Sequence, residues 1–277
     1  MKSIYEIRVF NRYTLISCIT LFLVLAISWF FVSHFAEIIF MDYSFSDDGT
    51  PLTEAQQIDA KSTYLSQILS WEMLVDSSMF YLINFIAIFF ALPTLNFFQE
   101  KKSYFILGRH RFRSLTKSIV SSILSYSLIS GLCTVFTFLL FYSIGGLFVT
   151  NDLDYLGEFA SIFPDNFYAE NPYLFFVFMV CTIYFALAFV FGMLSCGLML
   201  WVDNQYYVLV GVLVFYFVYG VIGVWIGSDW TALFGSIVAF NTYRSTGTVF
   251  LPLIPILSLA LLLVIFGIRK YRYDLNG

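Results

Sequence analysis

The sequence predicts an all-α polytopic membrane protein with six transmembrane helices, both chain ends lying on the cytoplasmic side. Composition is the first reason. Of 277 residues, 60% are apolar and 12% are charged, whereas a soluble domain carries about 45–50% and about 25%. With 34 Phe and 19 Tyr and a mean hydropathy of +0.84, a chain of this size has too little interior to hide its apolar surface, so lipid must cover the rest. The second reason is that this apolar material gathers into long runs. The third is the distribution of charge, which is strongly one-sided. Disorder, collagen-like fibres and disulfide-stapled secreted domains are excluded together. Cys18, Cys133, Cys181 and Cys196 all lie inside apolar runs and read as small hydrophobes.

A hydrocarbon layer of about 30 Å calls for about 20 apolar residues per helix. Six stretches qualify: 13–35, 79–98, 118–148, 173–201, 206–227 and 249–268. The first follows Lys2, Arg8 and Arg12 but exceeds the apolar length of a signal peptide, and no small-residue cleavage site follows it. It is expected as a retained span. Lys and Arg crowd cytoplasmic flanks. Twelve of the fourteen lie at the N-terminus, in 99–117 and at the C-terminus, leaving Lys61 and Arg244 opposite. An even number of spans gives the same orientation, and a multi-pass protein of the cell membrane is expected. Trp29, Trp71, Trp201, Trp225 and Trp230 fall near span ends or in flanking loops, where indole prefers to sit.

Three segments between spans carry more pattern than a connection needs. Residues 1–12 interleave apolar and charged side chains and fit a helix lying on the inner surface, or a basic flank that sets topology. Residues 99–117 hold six of the positive charges. There Phe105, Arg109 and Phe112 share one face of a short helix, and Glu100 stands where a carboxylate favours a helix start. This segment fits either a headgroup-touching anchor or a docking helix for a cytosolic partner. Residues 228–245 place Trp230, Leu233, Phe234, Ile237 and Val238 at i, i+3, i+4, i+7 and i+8, an amphipathic turn of helix, closed by Asn241 and Arg244.

Chemistry is sparse. His34 with Glu37 forms a His-x-x-Glu pair lacking the third ligand a metal needs, and reads as a hydrogen-bonded pair at the interface. The run 192–197 spells G-x-x-S-x-G, not the G-x-S-x-G of a nucleophile elbow, and its small residues suit close helix packing. No phosphate-binding G-x-x-x-x-G-K-[ST] occurs. The expected spans are nearly free of ionisable residues, which leaves an energising partner chain. No enzyme, metal, cofactor or nucleic-acid partner is expected.

This layout resembles the permease subunits of the second type of ATP-binding-cassette exporter. The similarity rests on Glu100 followed by a short helix and 113–117, on the ending IRKYRYDLNG with Asp274, and on the 228–245 hairpin. The resemblance implies two permease chains, identical or sister, and two ATPase subunits that hold ATP and Mg and dock on 103–113. Phe105, Arg109, Arg111, Phe112 and Arg113 would carry docking, with Glu100 capping the helix, and Trp230, Phe234, Ile237, Asn241 and Arg244 would form a re-entrant hairpin. Runs dense in Phe and Tyr suit a hydrophobic peptide or amphiphile as cargo. A non-transporting immunity or sensor protein that binds such a peptide at its outer face shares the composition and topology.

Overall fold

The computed structural model describes residues 11–45, 49–107, 114–149, 161–164, 167–238, 240 and 247–276. All regular structure among them is helical, apart from an isolated antiparallel bridge between Phe45 and Pro51. Helix α1 is Arg12–Val32, α2 Phe35–Phe40, α3 Glu54–Ile68 and α4 Trp71–Leu82. The helical run Ile86–Tyr104 is α5, and α6 is Leu115–Gly145. Pro172–Met199 is α7, Gln205–Ile226 is α8, Leu233–Ile237 is α9 and Leu253–Asn276 is α10. Among the described residues, α1, α6, α7, α8 and the run Thr248–Tyr273 are each long and apolar enough to cross a membrane.

The helix boundaries have local causes. Asn11 Oδ1 accepts from the Tyr13 and Thr14 amides at 2.9 and 3.0 Å, the N-cap bond that occupies otherwise unpaired donors. Ser114, Asn204 and Ser70 begin α6, α8 and α4 in the same way. Pro172 opens α7, where a missing N–H costs nothing. Gly227 ends α8 at φ +64, a left-handed turn that glycine makes without strain. Thr53 and Gln56 close a capping box at α3, giving the 41–78 loop an amphipathic helix.

Helix α7 is the axis of the molecule. It packs on α5, α6, α8 and α10, and a buried stripe on α1 (Tyr13, Ser17, Leu21, Leu25, Ser28) faces α4 and α6. Close approach is built from small residues, as lipid-embedded helices require. A Cβ on Gly192 would stand 3.2 Å from Ser127 Cα on α6, and one on Gly197 would stand 3.1 Å from Leu263 Cβ on α10. The G-x-x-S-x-G run is thus a double contact surface. Its Ser195 hydroxyl lies 2.9 Å from that of Thr94.

The expected second span, 79–98, is not one straight helix. α4 and α5 meet at 81° across a break at 83–85. A backbone broken inside a helical bundle must find other partners, and two neighbouring helices supply them. Ser28 Oγ of α1 donates to Ser77 O at 2.7 Å and accepts from Tyr81 N at 3.1 Å. It stands between the two ends of one i→i−4 bond, an insertion that kinks helices. Tyr216 of α8 donates to Ile83 O at 2.5 Å. One turn further, Pro93 lacks the N–H that would bond Phe89 O, and Ser17 Oγ donates there instead at 3.0 Å. Ser28→Ala is expected to destabilise the protein by about 1–3 kcal/mol, the cost of unpairing buried backbone groups. Thermal unfolding in detergent checks this, and an unchanged midpoint would show that the bend does not depend on the serine.

Candidate functional site

Among the described residues, an interconnected polar cluster gathers where α5, α7 and α10 end and α8 begins. Its centre is Lys101, in a π-helical turn, Glu100–Tyr104, and only 7% exposed. Its Nζ stands 2.9 Å from Met199 O, 3.5 Å from Val202 O and 3.1 Å from Asp203 Oδ1. The last carbonyls of a helix lack intrahelical donors and carry its negative end. An ammonium with three protons answers both needs, so Lys101 caps α7 from a different helix. The Lys101 carbonyl in turn accepts from Tyr271 of α10 at 2.6 Å. Lys102 Nζ reaches Asp203 O at 3.2 Å and sits 4.5 Å over the Phe98 ring. Lys270 lies 5.2 Å over Trp201, whose Nε1 donates to Leu263 O at 3.0 Å. The hydrogen bond from Lys101, then its charge, holds the Asp203 carboxyl below its ordinary pKa of 3.8, so this exposed partner stays ionised.

The neighbouring Glu100 points elsewhere. Its Oε1 accepts from Tyr126 of α6 at 2.9 Å, and the Tyr126 hydroxyl accepts from Asn96 Nδ2 at 2.9 Å. Two consecutive residues therefore tie the end of α5 to every long helix around it except α1 and α8. The turn before α8 is held through Asp203, and Gln205, the first residue of α8, accepts from Tyr13 of α1 at 3.2 Å.

Two expectations for this segment are corrected. Glu100 does not cap a separate helix, because the chain runs helically through it from α5 and its carboxylate serves Tyr126. Phe105 is not an exposed docking anchor. It is 1% exposed and its ring packs edge-on to Phe97 at 6.2 Å; burying that ring outweighs sharing a face with charged residues. Arg109, Arg111, Phe112 and Arg113 lie outside the described residues, as do 1–10 with the expected surface helix. Lys101 was visible only as one of many positive charges. Its partners lie about a hundred residues away, with no local pattern to announce them.

The segment that follows α8 is a second ordered feature. After Gly227 the chain folds back along α8, and α9 inserts Leu233 and Ile237, both fully buried. Phe234 sets its ring edge-on to Tyr216 at 5.6 Å over the space left by Gly220. Tyr184 of α7 donates to Ile237 O at 3.1 Å, Ser236 to Val249 O at 2.6 Å, and the Tyr219 hydroxyl lies 2.9 Å from Trp230 O and 3.2 Å from Pro252 O. Trp230 remains half exposed. Asn241 and Arg244 lie outside the described residues.

Among the described residues, no three His, Cys, Asp or Glu side chains gather as a metal site requires. His34 Nδ1 and Glu37 Oε2 pair at 2.9 Å, both exposed. Fold and site together define an all-helical polytopic membrane protein whose polar residues join helices end to end. Comparison with protein-family models, with curated proteins and with solved structures returned no match.

Proposed function

We propose that this chain is the permease subunit of an ATP-binding-cassette exporter. It would move a hydrophobic or amphipathic molecule outward with energy from a separate ATPase subunit. In this reading α4 and α5 together make the second of six spans, and both chain ends face the cytoplasm of a cell membrane. The ATPase docks on 103–113, with Arg109, Arg111, Phe112 and Arg113 as its contacts. Phe105 acts beneath that surface, fixing the segment to Phe97.

The observation that carries the reading is the Lys101 junction. A docking segment transmits force only if it is rigidly joined to the helices it must move, because distant sites couple through packed elements with discrete arrangements. Here the residues next to the docking segment hold α6, α7, α10 and the α7–α8 turn at once. The positive flanks support the orientation. The sparse burial of α1 and α8, 22% of each apolar window against 56% for α6 and α7, leaves broad faces for lipid and for a second permease chain.

The test is purification in mild detergent with mass spectrometry of whatever stays bound. A stoichiometric ATPase subunit is expected, and Arg109→Glu is expected to remove it while membrane insertion persists. Full retention by that variant overturns the docking assignment. A preparation free of ATPase, with control complexes intact, favours the stand-alone immunity or sensor protein.

A further inference from the structure

A groove of about 540 Å³ runs between α1 and α6. Leu15, Leu132 and Phe136 form its walls and are exposed, so it opens sideways toward the surrounding lipid. At its floor Cys18 and Cys133 bring the two helices together, Sγ to Sγ at 2.8 Å. Its other end is marked by Arg12, the first residue of α1. From Arg12 to Cys18 the helix rises about 9 Å at 1.5 Å per residue, enough to seat the upper part of an acyl chain.

Arg12 is held in place. Its guanidinium donates to the Tyr13 hydroxyl at 2.8 Å and lies 4.8 Å over that ring. The hydroxyl is anchored to Gln205. One of five N–H donors is used in this way, and among the described residues no carboxylate pairs with the group. A planar cation with unspent donors, standing at the mouth of an apolar slot, matches a phosphate that carries a hydrocarbon tail.

We infer that this groove is a binding site for one anionic phospholipid, drawn from the leaflet nearest the chain's N-terminus, with its phosphate on Arg12 and one acyl chain against Leu15, Leu132 and Phe136. Basic pockets between membrane helices recognise such headgroups. The inference needs only that the chain lies in a bilayer, and stands or falls separately from the exporter reading.

The experiment uses the full chain, delipidated in detergent and titrated with phosphatidylglycerol or with phosphatidylcholine of the same acyl chains, with bound lipid counted by native mass spectrometry. One phosphatidylglycerol is expected to bind about five-fold more tightly than phosphatidylcholine, the preference one basic group supplies at a membrane surface. Arg12→Gln should erase that preference, while Arg12→Lys keeps most of it. Lys61→Gln, beyond the opposite end of α1 from Arg12, should leave it intact. Leu132→Trp fills the slot, and should lower binding of both lipids even though Arg12 remains. Equal affinities in the parent protein overturn the inference. So does a preference that survives Arg12→Gln, or one that Lys61→Gln reduces equally. Unchanged binding by Leu132→Trp shows that the acyl chain lies elsewhere and overturns it too.

Discussion

Lys101→Met is expected to destabilise the protein by about 2–3 kcal/mol, the scale of charge-assisted hydrogen bonds lost without replacement. The substitution keeps most of the apolar stem and removes only the ammonium, leaving Met199 O and Val202 O at the end of α7 without their donor. Asp203→Asn is expected to cost less than about 1 kcal/mol, because an exposed carboxylate contributes little to an ion pair. The Asp203 side chain is 86% exposed against 9% for Lys101. The two variants separate capping from ion pairing: equal losses in thermal unfolding would mean the carboxylate holds the junction and the carbonyls do not. The dependence on pH follows the same geometry. Asp203 titrates below 3.8 in the folded protein, so its share of the stability is complete above that value and fades only as pH falls through the depressed one. The Lys101→Met penalty should therefore stay constant from about pH 8 to about pH 5 and shrink only in stronger acid.

That junction also marks where sequence reasoning stops. The expected starts at 13, 173 and 206 fall within one residue of α1, α7 and α8, whose caps and openers, Asn11, Pro172 and Asn204, are local causes. The hairpin was legible too, since Leu233 and Ile237 follow a helical period and are buried with it. The bend at 83–85 was not. The run 79–98 is apolar throughout apart from Asn84, Thr94 and Asn96, and the hydroxyls that make a break tolerable belong to Ser28 and Tyr216 on other helices. Phe105 misled for a related reason. Periodicity says which residues share a face but not which face the rest of the protein covers, and here Phe97 covers it. The link from Lys101 to Met199 and Asp203 is a matter of tertiary packing alone.

Glycine provides the sharpest contrast between local preference and packing. Gly211 and Gly223 both lie inside α8, where alanine is the better helix former by about 1 kcal/mol. Around Gly211 the nearest atom to an added Cβ is Leu198 Cδ1 at 3.9 Å, an ordinary contact, so Gly211→Ala should be neutral or stabilising. At Gly223 the added carbon falls onto the carbonyl oxygen of Thr231. That oxygen is backbone at the head of the hairpin, and it can yield only if the hairpin moves. Gly223→Ala is therefore expected to destabilise by about 2 kcal/mol, overpacking outweighing the gain in helix propensity. Amide hydrogen exchange across Leu233–Ile237 should accelerate with it, since α9 rests on α8 through this contact and through Phe234 over Gly220. If both alanine variants stabilise alike and exchange stays slow, the hairpin does not lie against α8 at Thr231. If only Gly223→Ala loosens it, the missing side chain at that position is what lets the chain fold back along its own helix, and the hairpin becomes an element that can be released without unfolding the spans beneath it.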